Sequence, residues 1–438
     1  MKRRSFIKKA GIAGAGAFFA PYLLPSGRLF AATGQRKVNH VVLCMLAGGI
    51  KNAESVHQEQ SNLMSTMLHD VSGGFVPQAG IGDSLPPNPI SSGTRLQDHG
   101  TLYKEFRFAQ GPTGHYNGHI TALTGKYTNS SLNLKSNPDF PTIFEYYRKH
   151  NDSGSAMSAL DAWWISDSLG PYPALNYSKY PGYGSMYGAN YMQPSNLISL
   201  AGYNSIGSPK NFSTGQNAFA SSVRGFCDDN FSNQFAGEEV GVVNSASEKE
   251  QLMAFIDEMY QDALAGAPDL QAWGLGNLVN NDVMNVYYTE KVIQRFTPEL
   301  TVCNMQAVDI CHTDFTSYCN NLRIADWAVS HLWNTIQSTP GMADDTVLIV
   351  VPEHGRNLEP NTVVDMYGRP AYDHTSDDSS REIFCLIAGP NNVVKTQTFS
   401  DVVGESVDVV PTIAYLLGFH DQIPGGILDG EPLYDAFY

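Results

Sequence analysis

The chain is short of positive charge and has no recognisable nucleotide-binding motif. Of its 438 residues, 27 are Lys or Arg and 43 are Asp or Glu, a formal net charge of −16. Residues 1–32 hold six of the basic residues and no acidic one, so the remainder carries 21 basic against 43 acidic residues, a net charge of −22. Such a surface repels nucleic acid and anionic lipid, and neither is an expected partner.

Cysteine is also scarce, and its spacing fits no metal knuckle. No Cys-x-x-Cys pair occurs among the six cysteines, which stand at positions 44, 227, 303, 311, 319 and 385. Cys44 and Cys385 lie within apolar runs and are expected to be buried thiols. A disulfide among Cys303, Cys311 and Cys319 is left open, because spacing alone does not determine pairing.

No apolar run is long enough to form a stable membrane span. The run from Ala10 to Leu24 is rich in Gly and Ala, follows basic residues and precedes Ala31-Ala32. Residues 1–32 are therefore predicted to be a secretory signal rather than a spanning helix. Arg3-Arg4 followed by Ser-Phe-Ile-Lys resembles the twin-arginine export signal, which implies the twin-arginine translocase as a partner and a periplasmic or secreted location. No Cys ends the apolar run, so no lipid anchor is indicated.

Short apolar runs alternate with helix-like segments along the rest of the chain. Buried strands are predicted at 40–46, 156–165, 347–351 and 382–388, with a short strand at 106–108. Helices are predicted at about 113–123, 141–149, 247–265, 278–296, 316–337 and 407–417. This alternation predicts one α/β domain over residues 38–438, with a mostly parallel central sheet and helices on both faces. Residues 168–245, rich in Tyr, Asn, Ser, Gly and Pro, are predicted to form a loop-built insertion or cap.

An acid and a histidine follow the strongest predicted strand. Pro352 removes a backbone donor after the run 347–351, and Glu353 and His354 come next. Open α/β sheets place their ligands at the carboxyl ends of strands. An oxygen ligand beside a nitrogen ligand suits a divalent metal.

Three other segments carry the same residue types. They are Asp373-His374, Asp309-Ile-Cys-His312 and the helix start that contains His115 and His119. Each alone has an ordinary structural explanation, such as a helix cap or two residues on one helix face. Together they predict a two-cation hydrolytic site, because each metal there takes mixed oxygen and nitrogen ligands. Zn²⁺ is the expected ion, with Mn²⁺, Mg²⁺ or Ca²⁺ as alternatives.

The order and spacing of these segments resemble the alkaline phosphatase superfamily, which includes sulfatases, phosphodiesterases and cofactor-independent phosphoglycerate mutases. In that family a strand followed by Asp-His-Gly supplies two metal ligands, and Glu-His-Gly at residues 353–355 holds that position here. An Asp and two His supply another set, which corresponds to Asp309, His312 and His374.

Further motifs extend the resemblance over residues 38–165 and 300–420. They are Leu123-Thr124-Gly125, Pro141-Thr142 before a helix, and the closing helix at 407–418. A closer likeness is to a twin-arginine-exported branch of the superfamily known only as a domain of unknown function. It rests on Gly48-Gly49, on Glu-x-Gly-Arg at 353–356 and on Asp373-His374. That branch implies no particular activity.

The chain departs from the superfamily pattern at three places. Ala47 stands where the first strand normally ends on a metal-binding Asp, with Glu54 as a substitute to be considered. The position of the nucleophile falls on His115, and Thr113 lies two residues away. No Cys-x-Pro-x-Arg segment exists, which argues against formylglycine sulfatase chemistry. One metal set is therefore complete and the other lacks a ligand.

The resemblance implies an exported metal-dependent hydrolase of small phosphate or sulfate esters. The metal would activate water or Thr113, His115 or His119 would act as general acid or ligand, and Arg356 would clamp the anion. The implied metal ligands are Asp309, His312, Glu353, His354, Asp373 and His374. The alternative is a non-catalytic relative that binds or assembles through the insertion, which the Ala47 departure favours. A redox or cofactor-carrying role is suggested by the export route alone.

Overall fold

A nine-stranded mixed sheet runs through the part of the chain that the structure describes. The computed structural model describes residues 35–438 except 60, 72, 83, 130–135, 152–156, 168–174, 196–241, 265–272 and 376. The strands are β1 (His40–Leu46), β2 (Gly100–Arg107), β3 (Ala162–Ser166), β4 (Asn190–Met192), β5 (Leu300–Met305), β6 (Thr346–Pro352), β7 (Glu382–Ala388), β8 (Thr398–Ser400) and β9 (Gly404–Glu405).

The strand order is β4-β3-β5-β1-β6-β7-β2-β8, with β9 beside β2. Strand β7 runs antiparallel to β6 and β2, and the other pairings between these strands are parallel. The predicted mostly parallel sheet is confirmed. All seven residues of β6 are buried, because a sheet covered on both faces accepts apolar residues at consecutive positions.

Helices cover both faces of the sheet, as predicted. They are α1 (His115–Thr124), α2 (Ile143–His150), α3 (Ala246–Leu264), α4 (Asn281–Phe296), α5 (Phe315–Ser338) and α6 (Val409–Leu416). On β1, Val42 and Leu46 pack into the core that includes α3, α4 and α5, whereas Val41 and Met45 pack into the core that includes α1, α2 and α6. Alternate side chains of one strand thus hold two helical layers in place.

One central strand was not predicted from the sequence. Strand β5 (Leu300–Met305) contains Thr301 and Asn304, which are polar and yet fully buried. The side chain of Asn304 has hydrogen-bond partners there. Its Nδ2 donates to the Ser166 hydroxyl at 3.0 Å, and its Oδ1 contacts Nε2 of His119. The strand matters because the segment that carries Asp309 follows it directly.

Two other strands differ from their predicted bounds. The predicted strand at 106–108 is the end of the longer β2, and the predicted strand at 156–165 begins only at Ala162. A short 3-10 helix, Ala159–Asp161, precedes β3, and its Ser158 cap accepts from the Leu160 amide. That cap fixes the start of the strand at a position that apolar content alone does not indicate.

The predicted export signal, residues 1–32, lies outside the described residues, as does most of the predicted insertion. Within 168–245, the structure describes 175–195 and 242–245. Residues Asn190–Met192 form β4 and pair with β3, so this part belongs to the sheet rather than to a cap. Among the described helices, none is both long and apolar enough to cross a bilayer.

The described cysteines are free and buried. Cys44 and Cys385 are inaccessible within β1 and β7, which confirms the expectation of buried thiols. Cys303, Cys311 and Cys319 are also unpaired, so the disulfide left open by the sequence is not formed in this structure.

Candidate metal centre

Three neighbouring strands end at the same edge of the sheet. Strands β5, β1 and β6 are adjacent and parallel, and Leu46 pairs with both Met305 and Pro352. Three segments therefore meet just beyond this edge. They are the turn Gly48-Gly49, the short helix Ala307–His312 and the pair Glu353-His354.

Close backbone approaches hold these segments together. A Cβ on Gly48, whose φ is +97°, would lie 2.5 Å from the amide nitrogen of Asp309. A Cβ on Gly118 would lie 2.7 Å from the carbonyl oxygen of Glu353. No other residue fits at these positions without displacing backbone. The glycines therefore bring the start of α1 and the turn after β1 against the acidic segments.

Four side chains form a group that can hold one metal ion. The candidate ligand atoms of His115, Asp309, His312 and His374 all lie within 4.8 Å of one another. Nε2 of His115 and Nε2 of His312 each lie 3.3 Å from the same oxygen, Oδ1 of Asp309. The structure thus brings together Asp309, His312 and His374, as the sequence predicted, and adds His115 to them.

Hydrogen bonds orient the three histidines of this group. Nδ1 of His312 lies 2.5 Å from Oδ1 of Asp373, and Nδ1 of His374 contacts the carbonyl of Thr113. Nδ1 of His115 lies 2.6 Å from Oε1 of Glu353. Since each Nδ1 faces an oxygen acceptor, each carries the proton and Nε2 keeps its lone pair. Metal-binding histidines are held in this way by carboxylates and carbonyls.

The nitrogen and oxygen atoms of these side chains are arranged as the ligands of a metal ion are. Nε2 of His115 and Nε2 of His312 both face Oδ1 of Asp309, which also accepts from Arg356, and a divalent cation can share the lone pairs of the two imidazoles with this carboxylate. His354 shows the same pattern, because Nδ1 donates to the Gly355 carbonyl at 2.8 Å while Nε2 is buried without a hydrogen-bond partner. A set rich in imidazole suits Zn²⁺ better than Mg²⁺ or Ca²⁺, which prefer oxygen.

The pKa shifts of Asp309 and His374 suit metal binding, whereas the hydrogen bond with Asp309 raises the pKa of His312, which must lose a proton to bind a metal. Burial opposes the charge of Asp309, but the hydrogen bond with His312 and the nearby Arg356 charge outweigh it, so the pKa of Asp309 lies well below its ordinary range. Burial, aided by neighbouring cationic groups, lowers the pKa of His374 far below its usual value. Asp309 is therefore anionic and His374 neutral near pH 7, the forms that bind metal.

Glu353 accepts two hydrogen bonds on one carboxylate oxygen, and its other oxygen faces a histidine without an aligned hydrogen bond. Oε1 accepts from the Gly48 amide at 2.5 Å and from His115, and Oε2 lies 2.5 Å from Nδ1 of His119. The contact with His119 is an ion pair rather than an aligned hydrogen bond, because that Nδ1 proton is shared with the His115 carbonyl at 2.7 Å. Burial opposes the charge of Glu353, but these histidines hold its pKa well below the ordinary value.

His119 is a buried cation that faces Glu353. Its Nε2 lies 2.8 Å from the side-chain oxygen Oδ1 of Asn304. The side-chain nitrogen of the same Asn304 donates to the Ser166 hydroxyl, which fixes the orientation of the amide. Both ring nitrogens of His119 therefore act as donors, as in imidazolium. Burial lowers the pKa of His119, but the charge of Glu353 and these hydrogen bonds raise it above the ordinary value overall. His119 was predicted as general acid or ligand, and the structure instead makes it the partner of Glu353.

Arg356 and Thr113 also differ from their predicted roles. The Arg356 side chain is fully buried, donates to Asp309 Oδ1 at 2.8 Å and to the Gly48 carbonyl, and also contacts Tyr372. It therefore has no open face with which to clamp a substrate anion. Thr113 is buried, and its hydroxyl donates to the His374 carbonyl, so this threonine is not free to act as a nucleophile.

Two further acids lie outside the groups of candidate ligands among the described residues. Asp373, predicted as a ligand, accepts from His312 and from Asn361 at 3.1 Å, so it orients a ligand rather than serving as one. Glu54, considered as a substitute for the missing Asp, is buried, and burial raises its pKa to about 7. Neither replaces the carboxylate missing at Ala47.

Fold and site together define a mostly parallel α/β protein with a histidine-rich centre at the carboxyl edge of its sheet. No family model and no curated protein matches the chain. Solved structures similar to it include a protein in the alkaline phosphatase superfamily from Vibrio parahaemolyticus, with 12% identity and a TM-score of 0.44 over 92% of this chain and 74% of that one.

Two further solved structures are similar to the chain over most of its length. Wild-type alkaline phosphatase PafA has 10% identity and a TM-score of 0.49 over 93% of this chain and 100% of its own. The lipoteichoic acid synthase LtaP from Listeria monocytogenes has 10% identity and a TM-score of 0.43 over 91% of this chain and 78% of its own.

Proposed function

We propose that the chain is an exported, metal-dependent hydrolase of phosphate or sulfate esters in the alkaline phosphatase superfamily. The observation that carries the proposal is the convergence of three oriented imidazoles on Asp309, in the group His115, Asp309, His312 and His374. A bound divalent ion, with Zn²⁺ expected, supplies Lewis acidity toward an ester oxygen and activates a water molecule.

The group is open to solvent on one side, as a substrate requires. The side chains of His115, Asp309 and His312 retain 24%, 21% and 32% of their exposure. His115 also begins α1, and Gly114 gives this helix no side-chain cap. The first amides of the helix and the positive end of its dipole therefore favour an anionic group beside the metal ligands.

The side chains favour attack by water over a covalent intermediate. His115 occupies the position at which the superfamily places its nucleophile, and its Nε2 is directed at Asp309. The nearby Thr113 hydroxyl already donates to the His374 carbonyl. With no free hydroxyl or thiol at this position, we assign the chain a single-displacement hydrolysis.

The proposal is tested with the mature protein purified without chelator. Zinc content is measured and a panel of a phosphomonoester, a phosphodiester and a sulfate ester is assayed. We expect bound zinc and turnover of at least one ester, both lost in Asp309→Asn and both kept in His57→Ala, which removes an exposed histidine elsewhere. A wild-type protein without divalent metal contradicts the proposal.

A non-catalytic binding protein is the second candidate. It is favoured by Ala47 at the position of a metal-binding Asp and by the cations Arg356 and His119 in the other half of the site. Bound metal together with no turnover of any of the three esters would support this role. The twin-arginine route and the periplasmic or secreted location are part of either proposal. They are tested by following the export of the radiolabelled protein with Arg3-Arg4 intact and with both arginines replaced.

A further inference from the structure

The centre contains two groups of candidate ligands, and we infer that it binds one divalent ion, with Arg356 and His119 taking the place of a second. This inference rests on the proposed metal site. The first group is His115, Asp309, His312 and His374, and the second consists of His115, Glu353 and His354. The second group shares a histidine with the first.

One oxygen of the carboxylate of the second group is already occupied by two protein donors, and the other faces His119. Glu353 receives the Gly48 amide at 2.5 Å, the Nδ1 proton of His115 at 2.6 Å and the ion pair with His119 at 2.5 Å. A second ion on Oε1 would have to displace one of these hydrogen bonds, and one on Oε2 would have to displace the His119 side chain, which lies 2.5 Å away. Losing such a contact leaves a buried polar group without a partner, which is unfavourable.

Without Glu353, too few ligands remain for a second ion. His115 already directs Nε2 toward Asp309, and His354 alone then offers an unprotonated Nε2. Ala47 directly follows β1 and contributes a methyl group in place of a carboxylate. Divalent zinc takes three or four protein ligands, so a single imidazole does not hold it.

A permanent positive charge stands beside the turn after β1. The Arg356 guanidinium has no exposed surface, contacts the carbonyls of Gly48 and Gly49, and lies 2.8 Å from Asp309 Oδ1. A guanidinium does not lose its proton in a protein, so it repels any cation placed next to it. Because the guanidinium already touches the Asp309 oxygen of the first group, its charge adds to that of a first ion and opposes the binding of a second.

The charges balance for one ion but not for two. Arg356 donates to the partly exposed carboxylate of Asp309, and the side chain of His119 faces the buried carboxylate of Glu353 at 2.5 Å. One divalent ion then adds two positive charges on the solvent-facing side of the group, where water and an anionic substrate can compensate them. A second ion on the buried side would find no uncompensated negative charge.

The test is zinc stoichiometry by elemental analysis after equilibration with excess Zn²⁺ and removal of free ion. We expect one equivalent in the wild type, none in Asp309→Asn, and one in both Glu353→Gln and His354→Ala. His57→Ala is the matched control, and circular dichroism checks that each variant is folded.

Each result distinguishes the inference from the proposed function. Two equivalents in the wild type, with a drop to one in Glu353→Gln, would overturn the inference and leave the metal-dependent function intact. No zinc in the wild type would overturn both.

Discussion

Asp373 offers a sharp test of how the centre holds its metal. Its Oδ1 lies 2.5 Å from Nδ1 of His312, and nothing in the structure makes it a ligand itself. Removing the acceptor that orients a metal-binding histidine typically weakens metal affinity by about 10–100-fold, which is about 1.4–2.7 kcal/mol. The Asp373 side chain is 44% exposed, so solvent screening places the expected loss at the lower end of this range.

The structure separates the two contributions of this carboxylate. Asp373→Asn keeps an oxygen acceptor but loses the charge, which makes charge-assisted hydrogen bonds about twice as strong as neutral ones. We therefore expect a loss of zinc affinity of roughly threefold in Asp373→Asn and about tenfold in Asp373→Ala, with stoichiometry unchanged.

A competition titration against a chromogenic zinc chelator measures these affinities. Asp378→Asn is the matched control, because it removes the same charge from a fully exposed side chain a few residues away. If both Asp373 variants bind zinc as tightly as this control, Asp373 does not orient His312. If either abolishes binding in a folded protein, Asp373 is itself a ligand.

Two predictions concern parts of the fold around the centre. Glu54 is protonated in the folded state, because burial raises its pKa to about 7 from an ordinary 4.5. The folded state then binds the proton more tightly than the unfolded chain, so this group costs stability as pH rises from 4.5 to 7. Glu54→Gln should accordingly stabilise by up to about 3 kcal/mol at pH 8 and little at pH 4.5, as calorimetry would show, and equal effects at both pH values would contradict this. Gly118→Ala should destabilise the fold by about 1–3 kcal/mol, because the added Cβ would lie 2.7 Å from the carbonyl oxygen of Glu353. The control is Gly425→Ala, whose Cβ would meet no atom within 4 Å. Equal melting temperatures for the two variants would refute the close approach at Gly118.

The sheet was predictable wherever its strands are apolar throughout. Strands β1, β6 and β7 follow from continuous runs that only a sheet covered on both faces buries. Strand β5 could not be found in this way, since Thr301 and Asn304 interrupt its apolar run. What makes Asn304 acceptable in the core is its contacts with Ser166 and His119, which are distant in sequence.

The candidate metal ligands could be predicted from the sequence, but the contacts that give each surrounding residue its role could not. The co-occurrence of several short segments that pair an acid with a histidine indicated Asp309, His312 and His374, because a metal site takes mixed oxygen and nitrogen ligands. The burial of Arg356 and its contact with Asp309 depend on how the turn after β1 meets the segment after β6. A charged residue carries no sign of such burial in its own sequence neighbourhood, since most arginines lie at the surface.

Zinc K-edge X-ray absorption of the mature, zinc-loaded protein tests the central claim most directly, because it reports the atoms around the ion without requiring turnover. The account predicts one zinc environment with three imidazole nitrogens and a carboxylate oxygen, at about 2.0–2.1 Å, from His115, His312, His374 and Asp309. A shell of oxygen atoms alone, or a second metal at about 3.5–4 Å from the first, would contradict it.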